Sequence, residues 1–162
     1  MKAIYLALMT ALLPLAATSQ TTDDSTVKAA LIEANAPDSI VAALQKLGYR
    51  AELTTDPTGD PQIKSAAGGV NFSVYFYGCK EGQACRSIQF SAGFNTEDGV
   101  ELAVANDWNM RNRFGKVYLD DERDPFIEQD ITMAGGMTDE MFADNLRFWE
   151  LVISDFKKHI DW

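Results

Sequence analysis

The sequence predicts a single α+β domain, an antiparallel sheet flanked by helices in the order α-β-β-β-β-α-β-β-α. Three observations carry this expectation. Several runs alternate between apolar and polar residues with a period of two, as in "VNFSVYFYG". Turn residues separate them, with Gly68-Gly69 between two such runs acting as a hairpin signal. A long stripe near the C-terminus, from Phe142 to Ile160, repeats at the spacing of a helix.

The chain begins "MKAIYLALMTALLPLAATSQ". Lys2 gives a positive end, residues 4–13 are apolar apart from Thr10, and small residues follow. That is the layout of a secretory signal peptide, expected over residues 1–19 with cleavage after Ser19, or alternatively after Ala17; a buried N-terminal helix is the other reading. The apolar run is too short to span a bilayer, which needs about 20 residues. Residues 20–36, opening with the polar "QTTDDST", read as a linker, in which "LIEAN" adds a short strand or helical turn. The folded domain is expected over residues 37–162. A protein so addressed is periplasmic or secreted.

The elements follow in order. "APDSIVAALQKLGY" reads as a helix: Pro37 suits its first turn, Asp38 complements the dipole and Gly48 ends it. Ile40, Val41, Leu44 and Leu47 share one face. Four strands follow at "YRAELTT", "QIKSAA", "VNFSVYFYG" and "RSIQFSAGF". In the third, Val70, Phe72, Val74 and Phe76 take one face and Asn71, Ser73, Tyr75 and Tyr77 the other. A second helix is expected from Glu97 to Phe114, with Val100, Val104, Trp108 and Arg111 on a stripe. Two short strands, "KVYLD" and "PFIEQDITM", meet at an acidic turn. Thr138 caps the last helix, Asp139 and Glu140 fill its first turn, and Lys157, Lys158 and His159 its end. Docking of its stripe on the domain's own sheet is the simpler reading, and a homodimer seam the alternative.

Composition narrows the function. With 14 Lys+Arg against 24 Asp+Glu the net charge is −10, one unit more negative once Lys2 leaves with the signal. Such a surface repels nucleic-acid phosphates and anionic headgroups, so neither is expected as a partner. No later stretch is apolar enough for a membrane span.

The only cysteines, Cys79 and Cys85, flank a hairpin loop, "KEGQA". In an exported protein two cysteines leaving facing strands favour a disulfide. Redox chemistry of the thioredoxin type uses two intervening residues at a helix N-terminus, and zinc needs about four ligands. Here five residues intervene on a hairpin, and the only histidine is His159. His159 sits between Lys158 and Ile160 without an evident carboxylate to orient it, and there is no G-x-S-x-G, so no activated nucleophile is evident. "DDERDP" alternates acids as a calcium loop does, but Pro125 and Ile131 stand where such a loop needs glycine and glutamate. A solvated turn is expected instead. No cofactor, metal site or catalytic constellation is expected.

Tyr75 and Tyr77 are candidate contact residues. If helices cover only the phenylalanine side of their strand, these amphipathic aromatics face outward, where interfaces favour them. Otherwise they pack beneath a helix or loop.

At "ANDWNMRNRFGKVYLDDERDPFIEQDI" and "FADNLRFWELVISDF" the chain resembles the YbjN-domain family of bacteria. "GYRAEL", "YGC…CRSIQFSAGF" and "WN…RFGKVYLD" extend the resemblance over roughly residues 37–160. It implies a fold like that of type III secretion chaperones, though with four strands before the second helix where that fold has three. It implies a role in sensory-transduction regulation. It also marks Trp108, Asn109 and Arg113 as the family's most recognisable motif, which either holds helix to sheet or meets a partner. The reading is therefore an exported, non-catalytic domain that binds a protein or peptide. A periplasmic sensor of a small ligand or cation is the alternative.

Overall fold

The computed structural model describes residues 31–162; the signal peptide and most of the linker expected from the sequence lie outside the described residues. The first helix, α1 (Pro37–Lys46), has Pro37 in its first turn and ends where Gly48 takes a φ of +88°. It buries Ile40, Ala43 and Leu44. Leu47 lies past its end and is exposed, so the expected apolar face stops one turn earlier. Four strands follow: β1 (Glu52–Thr55), β2 (Pro61–Ala67), β3 (Val70–Tyr77) and β4 (Ser87–Gly93). After α2 (Leu102–Arg111) come β5 (Lys116–Leu119), β6 (Pro125–Thr132) and α3 (Asp139–His159). The α-β-β-β-β-α-β-β-α order is the predicted one.

All six strands form one sheet in the order β1-β2-β3-β4-β6-β5, with every neighbouring pair antiparallel. The chain leaves β4, crosses as α2, forms the far edge as β5 and returns inward as β6. Pairing of Val74 with Ile63 and Phe90, and of Phe76 with Ile88, stacks apolar side chains on one face. A one-residue slip would turn all of them to water, so burial fixes the register.

The helices cover that apolar face. On α3, Thr138 caps the start by accepting the Met141 N–H at 3.2 Å, as expected. Phe142, Leu146, Trp149, Ile153 and Phe156 are fully buried. Trp149 meets Phe72 and Phe90 with ring centroids 5.8 and 5.7 Å apart, and Phe156 meets Phe94 at 5.3 Å. The stripe thus docks on the sheet of its own chain. Each such side chain contributes about 1.5–3 kcal/mol by leaving water, which makes this layer the main source of stability.

Two differences from the sequence reading have local causes. The second helix is shorter than Glu97–Phe114. Gly99 has a φ of +66° and the Val100 N–H donates to the Arg123 carbonyl, so residues 97–101 serve as a loop tied to the β5–β6 turn. At the other end Asn112 is extended. The buried face accordingly consists of Ala105 and Trp108, while Arg111 is exposed and pairs with Asp107 at 2.7 Å. In addition, residues assigned to the linker belong to the folded body: Ile32 and Ala34 are buried, and Ile32 exchanges two backbone hydrogen bonds with Met137, both 2.9 Å.

Candidate functional site

The opposite face of the sheet carries no helix among the described residues. Its side chains come from the alternate positions: Lys64 on β2, Ser73, Tyr75 and Tyr77 on β3, Gln89 and Ser91 on β4, Phe126, Glu128 and Asp130 on β6, and Tyr118 on β5. Small side chains in the middle and large ones around them make the face concave. The resulting groove, about 340 Å³, is lined by Arg50, Lys64, Ser73, Tyr75, Ser91 and Phe126 among others. Its floor depends on Gly93, where a Cβ would lie 2.6 Å from the Phe126 ring. Only glycine lets Phe126 lie across β4 and wall the groove.

The face is ordered by side-chain bonds. The Tyr77 hydroxyl donates to Gln89 Oε1 at 3.1 Å, and Gln89 Nε2 donates to Asp130 Oδ1 at 2.9 Å. Gln89 and Ser91 are 6 % and 8 % exposed although they sit on the uncovered face, flanked by Tyr75 and Ser73 on β3 and by Asp130 and Glu128 on β6. Beyond them the Tyr118 ring stacks on Phe126, centroids 5.4 Å apart and planes within 13°. Lys116 pairs with Glu128 at 2.7 Å, which holds its ammonium above the ordinary lysine range. Burial, reinforced by the Glu128 charge, pushes the Tyr118 hydroxyl up to about 12. Burial also raises Tyr77, with Glu128 and Asp130 adding to the effect. These phenols are therefore neutral hydrogen-bonding groups at physiological pH.

The five candidate contact residues fall in two places. Tyr75 lines the groove, half-buried, and Tyr77 beside it is 46 % exposed. Trp108, Asn109 and Arg113 lie in and just after α2, against the β5 edge. Trp108 is 3 % exposed; its indole N–H donates to the Gly115 carbonyl at 2.7 Å and its ring meets Phe156 at 5.0 Å. Asn109 bonds through both ends of its amide to the backbone of Val117. The polar groups of these two residues are thus used inside the fold, fixing α2 to β5 and α3. Arg113 is exposed, its guanidinium 5.0 Å from the Phe114 ring centroid. The sequence reading did not single out Arg50, Lys64, Gly93, Tyr118 or Phe126 as site residues. The one local signal for them is Gly93, a glycine inside a strand pattern, which marks close approach of a neighbour.

Cys79 and Cys85 form a disulfide, as expected, closing the β3–β4 hairpin at the end of the sheet away from the groove's Gly93. Cys85 is buried. At the acidic turn, Asp120 Oδ1 accepts the N–H groups of Glu122 and Asp124, and Asp124 Oδ1 accepts from the Thr96 N–H and hydroxyl. These carboxylates cap turns. Among the described residues no group of three or more His, Cys, Asp or Glu side chains is placed to hold a metal ion. No helix among them is long and apolar enough to cross a membrane.

The model of one protein family, YbjN, described as "Putative bacterial sensory transduction regulator", matches residues 36–162. No curated protein and no solved structure matches the chain.

Proposed function

The chain belongs to the YbjN family, and on that premise we propose that it is an exported, non-catalytic regulatory domain that binds a protein or peptide through the uncovered face of its sheet. The observation that carries this reading is the concave aromatic face itself. Tyr75 and Phe126 line a groove, and Tyr77 and Tyr118 extend the aromatic surface beside it, on a sheet whose other side is occupied by the helices. Tyrosine presents a large apolar body and a polar tip at little entropic cost, which is why interfaces favour it.

The size of the face selects the kind of partner. The 38 residues of the six strands, each covering about 3.3 Å by 4.8 Å, give a flat area on the order of 600 Å². A standard globular interface takes about 800 Å² per partner, so the face suits an extended segment better than a second folded domain.

Export is supported by the Cys79–Cys85 bridge, since such bonds persist in oxidising compartments. The groove also admits a second reading. Its volume of about 340 Å³ falls within the range of small-molecule pockets, so a small-ligand sensor uses the same surface.

The test is affinity capture from cell envelope with the wild-type protein and a Tyr75→Ala/Tyr77→Ala variant, their folding compared by circular dichroism and melting temperature. The reading requires a partner that the wild type retains and the equally folded variant loses. Equal capture by both contradicts it. A thermal-shift screen separates the second reading, because a small ligand of the native state raises the melting temperature by mass action.

A further inference from the structure

The charges around the groove specify the partner further, on the premise that the uncovered face is the binding surface. Among the described residues Lys46, Arg111, Lys116, Arg123, Arg147 and Lys158 each pair with a carboxylate, whereas Lys80, Arg86, Arg113 and Lys157, none of which lines the groove, do not. Arg50 and Lys64, which both line the groove, make no ion pair among the described residues. Arg50 Nη2 donates to the neutral Asn71 Oδ1 at 3.2 Å. Lys64 faces Glu52 on β1 and Ser73 on β3 without an ion pair to that glutamate. The other acids of the face are engaged: Glu128 by Lys116 and Asp130 by Gln89. A chain with ten more acids than bases thus lines its central groove with two cations and no carboxylate.

We propose that the groove binds the carboxylate of an acidic side chain in an extended segment of the protein partner, with a flanking apolar residue of that segment against Phe126 and Tyr75. A guanidinium offers paired donors that match a carboxylate, and charge-assisted hydrogen bonds are about twice as strong as neutral ones. The hydroxyls of Ser73 and Ser91 add donors at the floor, beside the wall that Phe126 makes over Gly93. The same charge balance restricts the segment. The net charge of −10 repels a polyanionic tract over the screening length of about 8–10 Å. One carboxylate among apolar residues meets the two local cations without that opposition.

The experiment measures binding of three fluorescent peptides to the full chain by anisotropy. Each is a short apolar peptide with phenylalanines flanking one central residue: glutamate, glutamine or lysine. They are measured on the wild type and on an Arg50→Glu/Lys64→Glu variant, whose exposed substitutions are checked against the wild-type melting temperature. The glutamate peptide is expected to bind about tenfold or more tighter than the glutamine one, and the variant to prefer lysine. Equal binding of the three peptides, or an unchanged preference in the variant, overturns the proposal. So does phenylacetate binding as tightly as the glutamate peptide, which would make the groove a small-ligand site. If none of the peptides binds while partner capture still depends on Tyr75 and Tyr77, the carboxylate inference fails and the binding face stands. If capture is independent of those tyrosines, the face itself is wrong.

Discussion

The side-chain amide of Asn109 completes the outer edge of β5: its Nδ2 donates to the Val117 carbonyl at 3.0 Å and its Oδ1 accepts the Val117 N–H at 2.9 Å. The side chain takes the place of a seventh strand for one residue. A bare edge is a template for pairing with other chains, and α2 covers this one. In Asn109→Ala, both backbone groups of the buried Val117 lose their partner. The expected cost is about 1–3 kcal/mol in denaturant unfolding, with faster aggregation on heating. An Asn109→Asp variant keeps the acceptor and loses the donor, and should fall between the two.

Trp108 and Trp149 make a matched pair. Both are buried, but the Trp108 indole N–H donates to the Gly115 carbonyl, whereas that of Trp149 has no partner among the described residues. Each Trp→Phe change leaves a comparable void, and only the change at 108 also breaks a hydrogen bond. Trp108→Phe is therefore expected to destabilise by about 1 kcal/mol more than Trp149→Phe, compared by urea midpoints. The reverse order would mean that packing around Trp149 dominates.

The Cys79–Cys85 bridge closes a short loop, for which chain entropy gives about 2 kcal/mol. Unfolding with and without reductant should differ by that amount in the wild type and not at all in Cys79→Ser/Cys85→Ser. The fold, with its core formed elsewhere, should survive the loss.

Tyr118 gives a pH signature. Its ordinary value of 10.0 is raised to about 12 in the folded protein by burial and by Glu128. Between these values the native state holds a proton that the unfolded chain has released. The contribution of Tyr118 is therefore complete below pH 10 and is lost as the pH rises towards 12. Tyr49, raised to about 12 by burial and by the neighbouring Glu150 carboxylate, acts in the same sense. Absorbance titration of the native protein near 295 nm should show a late tyrosinate step that shrinks in Tyr118→Phe.

The order of elements was legible because each has a local period. Val70, Phe72, Val74 and Phe76 alternate, and Phe142 to Ile160 repeats as a helix, so the two halves of the core are visible in sequence. The limits of α2 were not, since they depend on contacts across the chain: Val100 is drawn out of helix by Arg123 of the β5–β6 turn. The groove was half legible. Tyr75 and Tyr77 stand out on their strand, but Arg50, Lys64 and Phe126 meet them only through the register of five strands, including the non-sequential β4–β6 pairing. Gln89 and Ser91 read as solvent-facing polar positions, and are buried because they lie mid-sheet between the side chains of β3 and β6. Asn109 gives no periodic signal, because a single side chain mimicking a strand has no pattern to repeat.

The most direct measurement is site-specific photo-crosslinking in the native compartment, with a benzophenone side chain at position 77 on the uncovered sheet face or at position 151 on the outer side of α3. Leu151 is exposed too, so both probes reach solvent. The account predicts a discrete adduct from position 77, abolished by Arg50→Glu/Lys64→Glu, and none from position 151. A discrete adduct from position 151 with none from position 77 would place the binding surface on the helices and contradict it.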